Sequence, residues 1–155
     1  DDDIEGTGYI NGLKSGVFVY ATDETTTIST INTWTVTSGT KTIPVLENFS
    51  AAVTYTPGVK YDGIKSQFFE IDWHVSFSMN KASTTIHFGI FKNGALIAGS
   101  DMQSYGLNIN QPYHLTGTAV VELAEDDEVQ LVVQADKTGV ITVLHETSTI
   151  AEFFD

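Results

Sequence analysis

Glu70, Asp72 and His74 recur at alternate positions of Phe68–Phe77, and His87 has the matching parity in Thr84–Lys92. Alternate residues of an extended chain share one face. Asp72, His74 and His87 therefore compose a polar, pH-sensitive face, the kind of carboxylate–imidazole set that binds a metal or switches an interface. The same residues make an ordinary hydrogen-bonded sheet face, and no metal site is assigned to them. Glu70 and Asp72 would be the pair open to a polysaccharide-cleaving enzyme. They stand about 7 Å apart along one strand, as residues of any solvated face do. His114 and His145 are isolated and are read as structural or exposed.

The acids cluster at Asp1-Asp2-Asp3 and at Asp126-Asp127-Glu128. Calcium takes roughly six to eight oxygens, more than a bare triplet supplies, and the second cluster falls where a hairpin turn is expected. The chain has no cysteine, which removes thiol nucleophiles, disulfides and Cys-based metal sites. It carries no Gly-x-Ser-x-Gly elbow, no His-Glu-x-x-His and no phosphate-cradling glycine loop. The expectation is a protein that is not an enzyme and needs no cofactor.

Charge narrows the partners. Twenty acids face seven bases, for a net charge of −13, and every base is lysine. Without arginine there is no bidentate reader of phosphate or guanine, and an acidic surface repels a nucleic-acid backbone or an anionic membrane. No apolar run approaches the roughly 20 residues of a membrane-spanning helix. Asp1-Asp2-Asp3 shows neither the basic nor the apolar region of a secretory leader, so none is expected.

The elements that must position these residues are strands. Phe69, Ile71, Trp73, Val75 and Phe77 alternate with polar neighbours, as do Ile86, Phe88 and Ile90, and such period-two patterning directs one face to a core. Asn93-Gly94 is a tight hairpin turn. The polar, glycine-containing stretch 99–111 reads as a loop. Strands resume over Tyr113–Leu123, with Ala119, Val121 and Leu123 inward, and through Val129, Leu131, Val133 and Ala135. Further strands are read at Val140–His145 and Thr149–Phe154. Upstream, Gly16–Ala21 and Ile28–Val36 are separated by the threonine-rich 23–27, and Thr42–Val45 and Ala51–Thr56 follow. About eight to ten short strands punctuated by turns indicate one all-β sandwich or barrel. Residues 1–29 are an N-terminal arm or lead-in strands, and 30–155 the folded domain.

From Phe49 onward the order of motifs carries a resemblance. Tyr55-Thr56-Pro57-Gly58 precedes the long strand ending Val75-Ser76-Phe77. Phe91-Lys92-Asn93-Gly94, Leu115-Thr116-Gly117-Thr118 and Asp127-Glu128-Val129-Gln130-Leu131 then follow in turn. This order resembles the antiparallel jelly-roll β-sandwich of tumour necrosis factor and the complement globular heads, and most nearly its bacteriophage virion versions. The resemblance implies a homotrimer located on the virion. The expected function is a non-enzymatic decoration (cement) protein at the capsid surface, with the major capsid protein and its own copies as partners and the N-terminal segment as tether. The alternative is a receptor-binding head that recognises host glycan or surface protein through loops such as 99–111. Phe68, Phe91, Tyr113, Phe153 and Phe154 include several residues opposite the core in strand parity, and in a trimeric jelly roll they would line the subunit interface. Two other readings of these aromatics are a carbohydrate platform and a slip of parity at a bulge, which would return them to the core.

Overall fold

The computed structural model describes residues 15–153. Twelve strands follow in order: β1 (Gly16–Ile28), β2 (Thr35–Val36), β3 (Thr42–Glu47), β4 (Phe49–Ala51), β5 (Val59–Tyr61), β6 (Gln67–Met79), β7 (Thr84–Lys92), β8 (Ala95–Leu96), β9 (Met102–Leu107), β10 (Tyr113–Leu123), β11 (Glu128–Ala135) and β12 (Gly139–Glu152). One sheet runs β10-β6-β12-β1-β3. The other runs β9-β7-β11-β5-β4, with β2 added to β11 and β8 to β7. The pairings within both sheets are antiparallel. Successive strands β6 and β7 lie in different sheets, so the chain folds as a jelly-roll sandwich rather than a meander.

The inward residues of both sheets form one core. Phe69, Ile71, Trp73, Val75 and Phe77 of β6 meet Ile86, Phe88 and Ile90 of β7 and the inward residues of β11. Period-two burial along β6 is what directs these side chains together. The indole of Trp73 is fully buried, and its Nε1 donates to the carbonyl of Ser100 at 3.0 Å. Asn93 and Gly94 adopt positive φ in the β7–β8 turn, as a tight hairpin requires.

Three expectations change. The stretch read as a loop at 99–111 contains β9, an edge strand on β7 with an irregular register between Ser104 and Leu107; its glycines and polar residues are those an edge tolerates. The last two expected strands are one, β12, broken in register near Val143–His145. Residues 52–58, expected to be mostly strand, form a loop instead. Strand β1 lies in the sheet between β12 and β3, burying Val17, Val19, Ala21 and Ile28. Of the span read as an arm or lead-in strands, residues 1–14 lie outside the described residues.

Candidate functional site

The outward face of the five-stranded sheet can be read row by row from its register. Val120, Glu70 and Ala151 align across β10, β6 and β12; the next row is Thr118, Asp72, Thr149 and Phe18. Then come Thr116, His74, Thr147 and Tyr20, followed by His114, Ser76, His145 and Thr22. Threonine dominates because β-branched side chains suit a pleated surface that nothing else must fill. The rings of His74 and His114 stack with centroids 6.4 Å apart, and the Thr118 hydroxyl donates to Asp72. At one end Phe68, Val120 and Phe153 are 44%, 47% and 45% exposed, and the Phe153 amide donates to the Phe68 carbonyl at 2.8 Å. No lysine lies in these rows. The surface is broad, hydroxyl-rich and apolar at one end.

The expected interface aromatics do not share one surface. Phe68 and Phe153 stand together on this face. Tyr113 turns inward against Phe77, at 6.3 Å between centroids, and its hydroxyl accepts the Asn108 amide at 2.7 Å. Phe91 is on the outer face of the opposite sheet, beside Trp34. Phe154 lies outside the described residues. The expected Asp72–His74–His87 set is likewise divided. Asp72 and His74 face out from β6, and His87 faces out from β7 on the far side of the sandwich. The physical reason is the crossover: β7 leaves the sheet of β6 instead of pairing with it. What the pairing of β6 with β10 brings to His74 is His114, which no local spacing links to it.

The acidic turn also resolves into separate parts. Asp126 adopts positive φ. Asp127 accepts the Ala124 amide at 2.8 Å and the Asn93 side-chain amide at 2.9 Å. Burial opposes its charge, but these donors and Lys92 hold its carboxyl below the usual range. Glu128 begins β11 and is buried. It accepts the backbone amides of Val53, Thr54 and Tyr55 at 3.0, 3.1 and 2.6 Å. Burial again opposes the charge, and the three amides overcome it, so its pKa is lowered. The protein's own donors therefore occupy Asp127 and Glu128, and no metal-holding cluster of three or more ligands occurs among the described residues. Asp1, Asp2 and Asp3 lie outside them.

A second buried glutamate behaves oppositely. Glu146 points into the sandwich and pairs with Lys41 at 2.8 Å. Burial outweighs the lysine's attraction and raises its pKa. The pair borders a cleft of about 40 Å³, lined by Val19, Ile71, Ile90, Leu131 and Ile150. That is space for a few waters. Glu70 and Asp72 lie on the other side of the sheet from this cleft and remain on open surface.

The architecture defines a class of fold: the antiparallel jelly-roll β-sandwich. The chain is similar to the Eiger TNF of S. frugiperda, with 12% identity and a TM-score of 0.57, covering 91% of this chain and 94% of that one. It is also similar to the globular domain of the zebrafish complement 1qA protein, with 10% identity and a TM-score of 0.56, covering 92% and 98%. No protein-family model matches the chain, and no curated protein matches its sequence. At such identity the likeness concerns the fold.

Proposed function

We propose that the chain is a non-enzymatic building module whose copies associate, as a homotrimer, through the outer face of the five-stranded sheet. The observation that carries this reading is that face itself. It presents the partly exposed Phe68, Val120 and Phe153 beside rows of hydroxyls, without lysine. Apolar residues grouped on an otherwise polar face mark a place where a partner packs. The finer reading follows from the order of motifs: the trimer decorates a viral capsid. It would stabilise the shell by binding the assembled form in preference to free parts, with several weak contacts acting together.

Light scattering coupled to size exclusion should return about three times the 16.9 kDa chain mass. Val120→Lys, which sets a desolvated ammonium into the proposed contact, should shift the species to monomer with its far-UV spectrum unchanged. A wild-type monomer at micromolar concentration would sink the proposal. The capsid reading has its own test. Because β1 is part of the sheet, truncation is confined to residues 1–14; the shortened protein should assemble as before yet lose occupancy on particles.

A further inference from the structure

The opposite face of the sandwich carries a cluster that the self-association reading does not use. Trp34 precedes β2 and reaches across β11. Its ring makes T-shaped contacts with His87 and Phe91, at 6.2 and 6.1 Å between centroids. All three rings are only partly buried. Gln103, His87 and Gln134 form one cross-strand row over β9, β7 and β11. Gly89, with no side chain, lets Asp101 fold over β7: a Cβ there would stand 3.1 Å from the Asp101 Cβ. This brings the Asp101 carboxylate to 3.7 Å from His87 Nδ1.

Three features of the cluster are incomplete in a consistent way. The side chains of Gln103 and Gln134 make no hydrogen bond to the described protein. The Asp101 carboxylate faces only His87, beyond hydrogen-bond reach. His87 Nδ1 is buried without a hydrogen-bond partner, the one such side-chain atom among the described residues. A buried polar atom without a partner is costly and calls for an explanation. Elsewhere in the chain comparable groups are satisfied internally, as Asp127 and Glu128 are.

The geometry points to a binding site for a neutral sugar on the outer face of the seven-stranded sheet, with Trp34 as stacking surface and Asp101, Gln103 and Gln134 as hydroxyl partners. The chemistry fits this class. An indole offers an apolar, weakly negative face to the C–H side of a pyranose. A carboxylate and two amides provide acceptors and donors at the rim for hydroxyl groups. The net charge of −13 and the Asp101 carboxylate disfavour sialylated or uronate-bearing glycans. His87 is a positioning residue: a small inward shift of Asp101 as it accepts a sugar hydroxyl would complete the contact to Nδ1. The site is independent of the oligomeric state, because it lies on the face away from the proposed contact.

The test uses the full chain and two probes, saturation-transfer NMR and intrinsic fluorescence. The panel holds methyl glucoside, methyl galactoside and methyl mannoside, their short oligomers, and sialyllactose as the anionic comparison. Of the two tryptophans, Trp73 is fully buried, so a change in emission reports Trp34. A neutral sugar should give saturation transfer and shift the emission; sialyllactose should give neither. Asp101→Asn keeps the shape of the side chain and should weaken binding about tenfold, as loss of a charged hydrogen-bond partner does. Trp34→Ala should abolish it. Thermal melts of both variants separate loss of the site from loss of the fold, and light scattering on the same samples reads assembly separately. No response to any neutral sugar, or a response that both variants retain, would overturn the assignment.

Discussion

The two outer faces of the sandwich obey the same strand parity and end up differently. On the five-stranded sheet, the outward residues of β6 and β10 stay at least partly exposed. On the seven-stranded sheet, the outward residues of β11 are largely buried: Glu128, Gln130 and Val132 all lie beneath other segments. Loop 52–58 is tied down on Glu128 by three amides, and β2 pairs alongside Val132. On the first face the outward residues keep part of their surface, while on the second the chain itself covers those at the start and middle of β11. Alternation reveals which way a side chain points, while burial depends on what the chain later lays across it.

That contrast can be broken hardest at Glu128. Glu128→Ala removes the acceptor of three amides and should cost about 3 kcal/mol, since charged hydrogen bonds are lost and donors are stranded. Chemical denaturation should show it as a lower midpoint with an unchanged slope.

A smaller effect separates the two buried glutamates by pH. The folded-state pKa of Glu128 is lowered. Its stabilisation is present above the unfolded carboxyl value and lost as pH falls through the folded one. That of Glu146 is raised. The native state then binds its proton more tightly, so this group's contribution declines as pH rises from the unfolded value through the folded one. Melting curves between pH 3 and 7 should therefore diverge. Relative to wild type, Glu128→Gln should lose least stability at the acid end, and Glu146→Gln should compare best at the neutral end. Parallel curves for both variants would contradict the opposite shifts.

The smallest effect belongs to the open face. Thr116→Ala leaves the pleat intact and strands no donor, so monomer stability should move by less than about 0.5 kcal/mol. Together with Glu128→Ala, it gives the full span between a face closed by the chain and a face left open.

Much of the architecture was legible from local pattern. Phe68–Phe77 and Thr84–Lys92 were oriented correctly because ten- and nine-residue alternations leave little ambiguity of face, and Asn93-Gly94 named its own turn. Composition alone is misleading at two places. The threonine-rich 23–27 and the polar 99–111 are hydrophilic for strands, yet 23–27 belongs to β1 and Met102–Leu107 forms β9 because a neighbour offers a ladder. Val132 is the apolar residue in the otherwise polar outward register of β11, and it is 0% exposed. An apolar residue on that parity points to a cover.

By itself, the sequence determined the class of fold, the facing of the long strands, the lack of cysteine chemistry and a strongly acidic net charge. These follow from composition and from a period of two, which are local. Only the tertiary structure decided that His74 meets His114 and not His87, that Asp101 stands over Gly89 beside His87, and that Glu128 anchors a loop 73 to 75 residues away in the chain. Those outcomes depend on which sheet each strand joins after a crossover, a choice made by the packing of the whole core and written in no single stretch of residues.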